Sequence, residues 1–106
     1  MSQGNVEVID LLEMSRRLAP DSDRPITGQV DGAVALIRLE KGIEYASEQH
    51  ASTETVTAIE GTFAILAEGS RHTVKRGSCI RIPPGVEHRW DPSSDAVVLV
   101  TFSTPM

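Results

Sequence analysis

Apolar positions along the chain change their spacing near residue 25. Before it, between Val6 and Leu18, the spacing is helical: Ile9, Leu12 and Arg16 share a face, Asp10 and Glu13 stand early, and Arg16-Arg17 suit the C-terminal end of a helix dipole. Ala19-Pro20 ends that element, and Asp21 to Pro25 reads as a loop. Beyond it, strand-like segments follow at Ile26 to Val30, Ala33 to Leu39, Thr55 to Ile59, Thr62 to Ala67, Arg71 to Val74, Cys79 to Ile82, Val86 to Trp90 and Ala96 to Phe102. Asp31-Gly32 supplies the positive φ angles of a tight hairpin, so the segments flanking it are expected to pair. Gly61, Glu68-Gly69-Ser70, Gly77, Pro83-Pro84-Gly85 and Asp91 to Asp95 separate the others. Short strands at such intervals predict an all-β antiparallel sandwich or barrel. The expected organisation is an N-terminal helix and loop over 1–25 and a single β domain over 26–106.

Composition narrows the function. The 106 residues carry a formal charge of -5 and no basic cluster beyond Arg16-Arg17, so nucleic acid is not an expected partner. The longest apolar run, Ala96 to Val100, is far short of the roughly 20 residues of a membrane span, so no membrane partner is expected either. Met1 to Asn5 lacks a basic n-region, and the expected compartment is cytoplasmic. A lone Cys79 excludes an internal disulfide framework; among strand residues it reads as a small buried apolar group.

Candidate chemistry lies in two segments rich in turn residues. In the first, Gly42 to Gly61, an extended stretch at 48–50 points Glu48 and His50 the same way, and a turn at Ala51 to Thr53 brings Glu54 back beside them. In the second, a stiff Pro83-Pro84-Gly85 corner leads into a strand that holds His88 two residues in. His72 has nothing to place it inward and reads as an exposed strand residue. Trp90 shares the parity of His88 and reads as core or cavity lining, while Tyr45, Phe63 and Phe102 are candidates for pocket walls. Gly61, Gly77 and Gly85 read as turn positions with unusual backbone angles.

These two segments resemble the paired motifs of the cupin superfamily. Gly42, Glu48, His50, Glu54 and Gly61 fit Gly-x5-His-x-His-x3-Glu-x6-Gly, with Glu48 where the family usually has its first histidine. Gly77, Pro83, Gly85 and His88 fit Gly-x5-Pro-x-Gly-x2-His, with Asp91 read in place of the asparagine that follows. The resemblance implies a small single-domain double-stranded β-helix, or jelly-roll barrel, enclosing a metal site. Its ligands would be Glu48, His50, Glu54 and His88. Imidazole with carboxylate suits a divalent transition metal, and Glu48 in place of imidazole shifts the preference away from copper toward Mn, Fe or Zn, with Ni also in range. Two functions are then open. One is a metal-dependent isomerase, lyase or dioxygenase acting on a sugar, an organic acid or an aromatic, with Glu54, or an unligated Glu48, as catalytic base. The other is a non-catalytic module that binds or senses a small molecule. Sheet edges that must be covered, and the habit of small cupins, lead to the expectation of a homodimer.

Overall fold

The computed structural model describes residues 6–26 and 34–103. They form one short helix and an antiparallel sheet that rolls up on itself: α1 (Leu11–Ser15), β1 (Asp23–Pro25), β2 (Val34–Leu39), β3 (Thr53–Ala67), β4 (Ser70–Lys75), β5 (Cys79–Ile82), β6 (His88–Trp90) and β7 (Asp95–Ser103). The path through the sheet is β1-β2-β7-β3-β4, and β5 and β6 also pair with β3.

The helix is shorter than the expected 6–18. Asp10 caps it, its Oδ1 accepting from Glu13 N at 3.0 Å, so the helix cannot begin earlier. At the other end, Arg16, Arg17 and Leu18 donate to carbonyls three residues back, a tightened final turn rather than a continued α-helix. Asp23–Pro25, expected as loop, is a strand: Arg24 lies opposite Leu36, and Pro25 opposite Ala35. Proline and charge disguised it, and an edge strand tolerates both. The expected Asp31-Gly32 hairpin lies outside the described residues, although Ile26 N donates to Val34 O at 2.8 Å where the two segments approach it.

The segments at 55–59 and 62–67 are not two strands but one, β3, bent in its middle. Along β7 the partners of Ala58 and Glu60 are Val98 and Val97, so Ile59 is an extra residue and β3 bulges there. Before the bulge Glu54, Val56 and Ala58 face inward; after it Phe63 and Ile65 do, the inward parity having changed from even to odd. The exposed loop from β4 to β5 satisfies the bulge: Gly77 N donates to Ala58 O, Arg76 N to Gly61 O, and Ala58 N to Ser78 O. Gly61 has φ +77, and a Cβ there would fall 2.2 Å from the Asp95 carbonyl oxygen, so this position requires glycine.

Among the described residues the main core cluster includes Ile37, Leu39, Val56, Phe63, Ile65, Ile82, Val98 and Val100. Trp90 belongs to it, packed edge-on against Phe63 with ring centroids 5.6 Å apart. Cys79 does not. In β5 it is Ile80 and Ile82 that lie opposite inward Val56 and Glu54, which turns Cys79 and Arg81 outward and leaves the thiol exposed, contrary to expectation.

Candidate metal centre

Glu54, the second residue of β3, points into the site. Its neighbours across the sheet are Ile82 of β5 and Phe102 of β7, so its carboxyl is 4% exposed among apolar side chains. Desolvation there raises its pKa above the usual carboxylate range, against the opposing pull of His88 and His50; Glu48 adds to the rise.

His88 is the first residue of β6 rather than two residues in, and it is 6% exposed. Its Nδ1 lies 2.9 Å from Val86 O. A carbonyl oxygen only accepts, so Nδ1 carries the proton and directs it there. Nε2 faces the other way, 2.8 Å from Glu54 Oε1. His50, on the segment between β2 and β3, places Nε2 3.4 Å from the same oxygen. Its ring lies 5.4 Å from that of His88 and meets Phe102 edge-on at 4.9 Å.

These contacts are close but not satisfied. His50 Nε2 and Glu54 Oε1 are buried and make no hydrogen bond of acceptable direction. Ligating atoms of His50, Glu54 and His88 lie within 4.8 Å of one another. Buried imidazole nitrogens and a carboxylate oxygen gathered this closely, two of them without a hydrogen-bond partner, are a donor set that fits a divalent metal.

Of the residues predicted for the site, the structure brings His50, Glu54 and His88 together. Glu48 is adjacent but different: it is bridged to His88 through the backbone, its Oε1 reaches His50 Nε2 at 3.2 Å, and its side chain is 44% exposed. It stands outside the group of three. The family's asparagine position, four residues after His88, falls on Pro92 rather than Asp91. Asp91 instead bonds the Ser93 hydroxyl and backbone N–H, which hold its carboxyl below the usual range, with Arg71 nearby at 3.6 Å. His72 is exposed on β4, as expected.

Tyr45 is buried, with its hydroxyl accepting from Glu40 N at 3.1 Å and donating to Glu40 O at 3.2 Å, and burial raises its pKa; it is an anchor rather than a pocket wall. Sequence reasoning missed the Val86 carbonyl, whereas Phe102, a candidate pocket wall, does stand against the His50 ring. The parity of Phe102 with Val98 and Val100 signals an inward side chain, but only the register of β7 on β3 sets it beside Glu54. A cleft of about 580 Å³ beside β6, walled by Ser47, Arg71, Glu87 and Arg89, touches His88 and none of the other three predicted ligands.

The model of the cupin domain family matches residues 35–103, which include both motifs. The chain belongs to the cupin family. The Streptomyces coelicolor protein SCO3923 is 31% identical to this cupin over 98 residues, covering 92% of this chain and 93% of that protein. Among solved structures, a cupin-2 domain protein from Shewanella frigidimarina is 25% identical, covers 89% of this chain and 92% of its own, and superposes with a TM-score of 0.74. The hydroquinone 1,2-dioxygenase PnpCD, solved in complex with Cd2+ and 4-hydroxybenzonitrile, shares the fold at a TM-score of 0.72 with 15% identity, over 99% of this chain and 83% of its own.

Proposed function

We propose that this cupin is a metal-dependent enzyme acting on a small oxygenated molecule, an aromatic, a sugar or an organic acid. The observation that carries the reading is the buried pair His50 Nε2 and Glu54 Oε1, close together beside His88 Nε2 with no directed hydrogen bond. In this proposal His50, Glu54 and His88 hold a divalent ion, Mn, Fe, Zn or Ni, and Glu48 lies beside it as a fourth carboxylate able to join the set. Two imidazoles and one carboxylate, with positions left open, form the donor set of the 2-His-1-carboxylate iron sites. When bound, the ion supplies Lewis acidity or O2 chemistry. A dioxygenase of the same fold, solved with a divalent cation and a phenolic ligand, supports the aromatic member of the substrate class.

The chain's own groups have separable tasks. Val86 O holds the His88 tautomer, so Nε2 is presented as a lone pair without reorganisation. Phe102 packs against the His50 ring and keeps it from turning. In the metal-free protein the buried setting of Glu54 favours its protonated form, so uptake of the ion would release that proton. Half-exposed Glu48 passes protons between that cluster and solvent. Elemental analysis of the protein purified without added metal tests the proposal. Stoichiometric transition metal, lost in His50→Ala, is the expected result; absence of metal together with no uptake of Mn, Fe, Zn or Ni in titration would leave the binding-module reading instead.

A further inference from the structure

The chain between β2 and β3 carries Glu48 and His50, yet beyond one isolated bridge it has no strand of its own. Tyr45 anchors its middle to the Glu40 backbone. Its far end is laced to the corner that leads into β6. Glu48 N donates to His88 O at 2.7 Å, His88 N to Glu48 O at 2.9 Å, and Gly85 N to His50 O at 2.8 Å. To these Gln49 adds a side-chain bond, its Nε2 donating to Gly85 O at 2.9 Å. Gly85 is thus held on both sides by consecutive residues of the opposing segment: its N–H by His50 and its C=O by Gln49.

We infer that Gln49 is a positioning residue that sets the separation and orientation of His50 and His88; this rests on the metal reading above. The route is short. The peptide that Gln49 grips joins Gly85 to Val86, and Val86 O is the acceptor that orients His88 Nδ1. That grip fixes the backbone leading into Val86, whose carbonyl orients the His88 imidazole, while the bond from Gly85 N to His50 O ties the second histidine to the same corner. Gly85 has φ +80 and no side chain, and a Cβ there would meet Gln49 Nε2 at 4.0 Å, so the amide lies against the glycine corner. Gln49 is exposed and sits outside the apolar core, so its contribution lies in this bond rather than in packing.

Two variants separate the bond from the bulk of the side chain. Gln49→Met keeps the length and removes the donor; Gln49→Lys restores a donor. In metal-free protein, amide exchange at Gly85 and His88 is expected to quicken about three- to tenfold in Gln49→Met, the range of one ordinary hydrogen bond, and to return toward wild type in Gln49→Lys. The Val56 and Val98 amides in the core should be unchanged. In calorimetric titration with Zn2+, Gln49→Met should bind about three- to tenfold more weakly at unaltered stoichiometry. Wild-type exchange rates at both amides in Gln49→Met would overturn the inference whatever the metal does. Faster exchange with unaltered zinc affinity would overturn the positioning role. Failure of the wild type itself to bind zinc, manganese or iron would count against the metal reading alone. The inference is then decided by the ring resonances of His50 and His88, which should shift in Gln49→Met and return in Gln49→Lys, and which overturn it if they do not move.

Discussion

His88 Nε2 lies 2.8 Å from Glu54 Oε1, and its tautomer is fixed from the opposite side by the Val86 carbonyl, so a nitrogen lone pair faces a carboxyl oxygen in a buried setting. Two such acceptors repel unless a positive centre, a proton or a metal ion, stands between them. Replacing His88 or His50 by alanine removes one wall of that arrangement; neither side chain belongs to the apolar cluster, although the His50 ring touches Phe102 at its edge. Each variant is expected to lose metal by at least about a hundredfold in affinity, beyond the range seen for supporting residues, while its thermal transition stays cooperative. Metal content after dialysis and a circular-dichroism melt check this together.

The Glu54 carboxyl predicts a pH dependence in metal-free protein. Burial raises its folded pKa above the unfolded value, so the folded state holds the proton more tightly. The corresponding stability is present at acid pH, below the unfolded carboxyl's value, and is lost as pH rises through the folded value. Glu54→Gln, which cannot ionise, should therefore gain on the wild type as pH rises toward neutral and show no gain in acid. Melting temperatures of both proteins in the presence of a chelator, followed across that range, give the comparison; a difference independent of pH would contradict it.

Glu48→His exchanges a half-exposed carboxylate for imidazole beside His50. Binding of Ni or Cu should tighten more than binding of Mn, because nitrogen donors favour the later metals. Affinities for all of them unchanged from the wild type in competition titrations would show that Glu48 takes no part in coordination.

Gly61→Ala places a methyl group on the Asp95 carbonyl oxygen in addition to straining a positive φ, and should cost at least about 2 kcal/mol in urea unfolding. Gly42→Ala provides the control. It shares the positive φ of +92 but has open space around it, so only the smaller backbone cost of about 1 kcal/mol is expected.

The expected homodimer can be read from mass. Val6 and Val8 stand fully exposed ahead of α1, an apolar pair that association would cover. Light scattering at micromolar concentration should return twice the chain mass, and a monomer would set the expectation aside.

Much of this architecture is visible in residue order, and the exceptions have physical reasons. The spacing of Glu48, His50, Glu54 and His88, together with the glycine and proline corners, foretells which segments meet, because period-two alternation and rigid turns are local properties. Local properties cannot report Cys79. In Cys-Ile-Arg-Ile both parities carry apolar groups, and only pairing with Val56 and Glu54 decides which side faces in. Nor do they show that 55–59 and 62–67 are one strand, since a glycine with positive φ looks the same in a turn and beside a bulge. Asp23–Pro25 escapes for a related reason: its pairing with β2 is made by the neighbour, not by its own propensity. Glu48 has the expected neighbour in His50, but its exposure depends on the path of a segment without strand partners of its own.

The extra residue at Ile59 sets the hydrophobic half of β3 and its acidic half out of phase with each other. Losing or gaining a single residue between Val56 and Phe63 would bring them into step, and one half would then point the wrong way. Either Phe63 and Ile65 would be delivered to water or the Glu54 carboxyl would leave its histidines. Substitutions along this stretch can be absorbed one at a time, but a change in its length cannot.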